Sequence, residues 1–359
     1  MVVRTRTAVA LTAGLLILVP QRSFCEASLR GDRIVITGEH NTLATVARDI
    51  ADPAIFAFDP ERSAALANRN LLIQGTLLIG SEAVPEDFLR HSEILEMNIS
   101  RCGAVRIEVA ASGGEAGELH LRRAKLVAIH ETDDECSDPN LLVVQGKLLA
   151  HDSEISGNIG CDVKEGALVD LVGTTISYTR DSALTCDSMD EGQRLVIRDS
   201  AFIDNANYGI RIGRARRPLE IRDSVFRGLA ADVCNAGGAE VVLRDCDFRS
   251  VKFGSLSGRI RRTWSVAVET PGPGLHVEAR SAEGNPQREV VRGVSDENGL
   301  CQLALTEYVA FPPRAREFLE GVNNVTPHVI SVYGRDGKTL LYKMENFHVF
   351  MKDQRVRFP

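Results

Sequence analysis

The chain has 359 residues and a mass of 39.2 kDa, long for one average domain and comfortable for two. Hydrophobic residues make up 44% and charged residues 25%, which supplies a packed core and excludes wholesale disorder. The formal net charge of -7 argues against a dedicated nucleic-acid binder, which carries a basic excess.

In chain order, Arg4 and Arg6 precede an apolar run over residues 8–19, which Pro20 ends. Basic, then apolar, then polar with small residues is the layout of a secretory signal. Residues 1–27 are therefore read as a signal peptide, cleaved after Cys25 or Ala27. The run is too short to span a bilayer, which takes about 20 apolar residues, and no second long apolar run follows. The mature protein is expected in the periplasm, secreted or at the cell surface, with no membrane span. Thr42 can then cap a short helix with Leu43, Val46 and Ile50 on one face, ending at Asp52-Pro53. It belongs to an expected N-terminal cap region, residues 28–70.

The middle of the chain is a repeat. Arg198-Asp199-Ser200-Ala201-Phe202 recurs as Arg222-Asp223-Ser224-Val225-Phe226 and again as Arg244-Asp245-Cys246-Asp247-Phe248, with a weaker copy at His151-Asp152-Ser153-Glu154-Ile155. Ile155, Ile176, Phe202, Phe226 and Phe248 are separated by 21, 26, 24 and 22 residues. Five residues before the last four stand Leu171, Ile197, Ile221 and Leu243. Short apolar/polar alternations fill each unit, such as Leu195-Val196-Ile197 and Gly209-Ile210-Arg211-Ile212. No 10-residue helical pattern fits, and the leucine-rich repeat spacing is missing. One turn of a parallel β-helix consumes about this many residues, and its strands stack at roughly 4.8 Å. The spacing predicts an internal stack of Phe202, Phe226 and Phe248. It also predicts a second ladder of Cys161, Cys186 and Cys234, with Ile212 between the last two. The cysteines are read there as small buried hydrophobes, with a Cys161–Cys186 disulfide as the alternative.

These motifs resemble the right-handed parallel β-helix of pectin-lyase-like proteins, in which an Asn or Ser at a tight turn precedes an inward apolar residue. The resemblance is clearest over residues 141–251 and implies a β-helix over residues 71–258. It implies the fold and leaves the chemistry open, since many proteins of this shape have no known activity. After Gly258 the period stops. Trp264 to Val268, Leu275 to Ala279, Leu300 to Leu305, Val329 to Tyr333, Leu340 to Tyr342 and Phe347 to Phe350 read as short strands, with a hairpin turn at Asp336-Gly337. The turn Asp296-Glu297-Asn298-Gly299 before an alternating strand resembles the small transthyretin-like, carboxypeptidase-regulatory-like β-sandwich. Residues 263–359 are assigned to it. The expected fold class is all-β, a right-handed parallel β-helix solenoid followed by a small β-sandwich.

The usual catalytic signatures are missing. There is no G-x-S-x-G and no H-E-x-x-H, and Gly337-Lys338-Thr339 lacks the first glycine of a phosphate loop. Asp133-Asp134 is the one adjacent Asp pair, short of the Asp clusters that β-helix hydrolases use. Lyases of this shape use an Arg or Lys base near carboxylates that hold calcium against a uronate. The charge layout is compatible: residues 128–192 hold 14 acids against 3 bases, and residues 194–262 hold 14 bases against 8 acids. In the ladder, Asp162, Asp187 and Asn235 follow the cysteine positions and share one outward line, making Asp162 and Asp187 the candidate Ca2+ ligands. Arg211, in the turn of the coil between Asp187 and Asn235, is the candidate catalytic base. Arg211, Arg214, Arg216 and Arg217 are the candidate substrate-binding cluster, with Asp232 and Glu240 as their structural partners if the cluster only braces the fold. Repeated Arg198, Arg222 and Arg244 are expected to pair with Asp199, Asp223 and Asp245. The leading function is an exported non-catalytic scaffold binding glycan, with an acidic polysaccharide as partner. A calcium-assisted lyase acting on a uronate polymer and a purely structural envelope module are the alternatives.

Overall fold

The computed structural model describes residues 26–80, 93–98, 107–112, 115–129, 140–157, 159–189, 194–283, 288–312 and 321–359. Residues 1–25 of the expected signal, Cys136 and the acidic loop with Asp133 and Asp134 lie outside the described residues.

From residue 33 to residue 269 the chain visits three long, mostly parallel sheets in turn. Ile159–Val163 belongs to the first, Leu168–Val172 to the second and Thr175–Ser177 to the third, before Leu184–Met189 returns to the first. This order is compatible with a β-helix-like solenoid. The period-two alternation explains the burial: Leu148 and Ala150, Val169 and Leu171, and Val241 and Leu243 all point into one core cluster. At its start the helix Leu43–Ile50 closes on Thr42 through a capping box and buries Leu43 and Val46 against that cluster.

The recurring Arg-Asp-Ser-x-Phe is a turn with a reason for each residue. Asp199, Asp223 and Asp245 take positive φ values of 53°, 50° and 55°, which Asp tolerates better than branched residues do. The hydroxyls that follow donate backwards, Ser200 Oγ to the Arg198 carbonyl at 2.8 Å and Ser224 Oγ to that of Arg222 at 2.6 Å. They also accept from the preceding repeat, from Thr174 N and Ser200 N. The residue after next then faces inward. Leu126, Ile155, Ile176, Phe202 and Phe226 lie in one register line. The Phe202 and Phe226 rings stack at 5.1 Å with planes 12° apart. Phe248 is buried in the same cluster.

Two expectations need correction. Arg198, Arg222 and Arg244 stack on one another, like upon like. Arg222 and Arg244 share Glu220, at 2.9 and 3.8 Å, and Asp223 pairs with Lys352 at 2.5 Å. Arg244 alone reaches a repeat aspartate, Asp245, at 3.8 Å. The cysteine ladder also does not form. Cys161 aligns with Leu184, while Cys186 aligns with Val163 and Ile212. Cys161 and Cys186 remain buried, free thiols of the core. Cys234 instead aligns with Arg211, and Asn235 takes the inward place beside Ile212.

The strand Arg259–Glu269 runs parallel to Glu240–Arg244 and antiparallel to Leu300–Phe311, and it also accepts Gln354–Arg357 along its far half. A separate four-stranded antiparallel sheet is ordered Val290–Val294, His276–Ser281, His328–Tyr333, Leu340–Phe347. Trp264, Val266, Leu303, Val277, Ile330 and Val332 share a second buried cluster between these strands. The expected strand at Phe347 to Phe350 ends at Phe347, and Phe350 is exposed. Arg262 joins the two clusters: its guanidinium lies 4.7 Å from the ring centres of both Phe248 and Trp264. Among the described residues no helix is long and apolar enough to cross a membrane.

Candidate functional site

The outward face of the first sheet carries one continuous line. Register aligns Val35, Leu72, Glu108, Val143, Asp162, Thr185, Arg211, Cys234 and Lys252, one from each successive strand. Its charge changes sign along the axis: Glu108 and Asp162 come first, Arg211 and Lys252 later.

The expected line of Asp162, Asp187 and Asn235 is not formed. Asp162 aligns with Thr185, so Asp187 lies one outward position further along its strand. That offset is roughly 6–7 Å. Asn235 faces inward, with Nδ2 donating to the Ala239 carbonyl at 2.7 Å. Each acid also has its own cation: Lys164 Nζ lies 2.5 Å from Asp162 Oδ2, and Arg211 pairs with Asp187. The two carboxylates therefore do not fit a shared calcium site, and no group of three His, Cys, Asp or Glu side chains with metal-holding geometry occurs among the described residues.

Arg211 is half-buried beside Cys234. Burial holds the Cys234 thiol above its usual range, while Arg211, the Tyr208 hydroxyl and Lys252 pull it down. The ammonium of Lys252 lies 5.6 Å from the centre of the Tyr208 ring. Arg214 ends the outward row of the strand Tyr208–Ala215, and Arg216 and Arg217 occupy the turn into Leu219–Arg222; all three are exposed. Gly213, between Arg211 and Arg214, fixes this geometry, because a Cβ there would overlap the Asp187 carbonyl. Gly237, after the next strand of the sheet, packs on the backbone of Gly213 and Arg214.

Neither Asp232 nor Glu240 pairs with this cluster. Asp232 is buried, accepts from the backbone N–H groups of Gly228, Arg249 and Ser250, and lies 3.8 Å from Arg227. Glu240 lies 3.4 Å from Arg261. Among the described residues, Arg214, Arg216 and Arg217 have no ion-pair partner. Two further exposed arginines, Arg194 and Arg259, hold the corresponding edge of the second sheet. Sequence reading missed them because their outward column follows only from the pairing of Leu168 with Arg194 and of Glu240 with Arg259. The arrangement can hold anions by charge and by paired N–H donors. Arg211 is tied to a carboxylate and is not free for proton abstraction. No family model, no curated protein and no solved structure matches the chain.

Proposed function

We propose that the chain is an exported, non-catalytic scaffold that holds an acidic glycan in the periplasm or at the cell surface. The architecture goes with it: a right-handed parallel β-helix of pectin-lyase-like shape over residues 71–258, a cap region over residues 28–70 and a transthyretin-like β-sandwich over residues 263–359. The cyclic order of the three parallel sheets and the separate buried cluster after residue 263 support this division.

One observation carries the glycan reading. Arg214, Arg216 and Arg217 are exposed together with no described ion-pair partner, while Asp232 and Glu240 pair with Arg227 and Arg261. Clustered guanidinium groups repel one another, and a bound anion removes that repulsion. Their planar forks suit carboxylate and sulfate groups.

Changing Arg214, Arg216 and Arg217 to Gln is expected to weaken retention on an acidic polysaccharide gel several-fold without moving the melting temperature. The retention lost should be the part that salt screens. A lower melting temperature with unchanged retention would make the cluster structural. An accompanying assay for unsaturated uronate by ultraviolet absorbance should stay flat, and a rising signal would favour the lyase.

Export has its own check. The first strand begins at Glu26, whose N–H donates to Asn41 Oδ1 at 3.0 Å, and Ala27 is buried. Amino-terminal sequencing of the native protein is expected to start at Glu26, which leaves this strand whole. A mature chain starting at Met1 would overturn export.

A further inference from the structure

The acidic stretch of the outward line holds a cavity of about 290 Å³, two turns of the coil away from Arg211. Its polar lining is Arg33, Asn70, Glu108, Gln145, Asp162 and Lys164, and Val143 lies between Glu108 and Asp162 in the register. Two cations face two acids. Arg33 Nη1 is 3.2 Å from Glu108 Oε2, and Lys164 Nζ is 2.5 Å from Asp162 Oδ2. The cavity is therefore electrically balanced, and a charged ligand gains little from entering it.

The lining mixes donors on Arg33 and Lys164, carboxylate acceptors on Glu108 and Asp162, and donor–acceptor amides on Asn70 and Gln145. Vicinal hydroxyls, each both donor and acceptor, match that alternation, and the Val143 side chain offers an apolar spot for a C–H face. The volume lies just below the usual range for ligand pockets and holds one sugar ring.

We propose that this cavity is a subsite for a neutral hexose unit. The proposal rests on the glycan reading above and names the uncharged part of the same glycan. Asp162, Thr185 and Arg211 are successive members of one line, so the cavity and Arg211 are about 10 Å apart along the axis. A chain lying along the face presents a neutral ring to the cavity and its charged groups to the arginines.

The test is calorimetric titration with cello-, manno-, xylo- and galactotetraose in about 0.5 M NaCl, where exposed charges are screened. At least one tetraose should bind. D162A should weaken that binding by about tenfold, the loss expected when one hydrogen-bonding group of the cavity wall is removed. The exposed Gln145 provides a second variant that leaves the fold alone, and Q145A should weaken binding several-fold. K338Q, an exposed position in the hairpin turn before the strand Leu340–Phe347, should bind like wild type. Absence of binding by all four tetraoses overturns the subsite, and so does equal binding by D162A and Q145A. The two readings fail separately. Retention on the acidic gel without tetraose binding removes the cavity alone. Tetraose binding without acidic retention removes the charged-glycan reading and keeps the cavity.

Discussion

Replacing Phe226 by alanine is expected to cost about 3–5 kcal/mol of stability, the range for a buried aromatic truncated in a close-packed core. Phe226 is fully buried. Its ring lies 5.1 Å from that of Phe202, nearly parallel, and such a pair adds about 0.5–1.5 kcal/mol beyond the area it buries. The space it would vacate cannot be refilled by its surroundings. On one side the backbone of Gly209 already approaches so closely that a Cβ there would lie 3.2 Å from Phe226 Cβ. The strands beside it are held in register by Ser200 Oγ and Ser224 Oγ and cannot slide inward independently. Denaturant unfolding measures the loss. A double-mutant cycle of Phe202→Leu with Phe226→Leu should return a coupling of about 0.5–1.5 kcal/mol, because the rings touch each other. A total loss under about 1 kcal/mol for Phe226→Ala would mean that the register drawn through Ile155, Ile176, Phe202 and Phe226 is wrong.

That line was legible in the sequence because its turn repeats with its residues. Asp at positive φ, a back-bonding Ser and an inward Phe form one unit, and the unit travels together. The cysteine line failed for the complementary reason. Cys161 and Cys186 are 25 residues apart, but the pairing of Cys161 with Leu184 advances only 23 residues from one strand to the next. The connections between sheets differ in length, so a count valid for the third sheet does not carry over to the first. The side-chain period of two kept Cys186 inward despite the slip, and it left Asp162 and Asp187 both outward but in different columns. A calcium pair read from spacing was lost to a shift of two residues. The placement of Arg211 and Arg214 on the strand Tyr208–Ala215 and of Arg216 and Arg217 just after it is local in sequence and does not depend on that register. The cavity at Asp162 could not be read at all: its polar lining comes from five strands or strand ends spread from Arg33 to Lys164 and brought together only by pairing.

Replacing Asp232 by alanine is expected to cost about 2–4 kcal/mol and to leave glycan retention as it is. The side chain is a buried acceptor for three backbone donors: Oδ1 for Gly228 N at 3.1 Å, and Oδ2 for Arg249 N at 2.6 Å and Ser250 N at 3.3 Å. Arg227 adds a charge at 3.8 Å. Truncation removes the acceptor and leaves the donors, and each donor left without a partner away from water costs about 1–3 kcal/mol, less where solvent can enter. Asp232→Asn should fall between the two, since one oxygen stays but an amide then faces a backbone N–H. This residue also decides between the two meanings of the basic cluster. An Asp232 that neutralised Arg214, Arg216 and Arg217 would, once removed, release their charge and strengthen retention on an acidic gel. An Asp232 bound to the backbone cannot do so, because its charge is already satisfied by Gly228, Arg249, Ser250 and Arg227. Thermal unfolding and gel retention measured on the same variant separate the cases. Lower stability with unchanged retention is expected. Stronger retention at full stability would place Asp232 against the arginines and take away the observation on which the glycan reading stands.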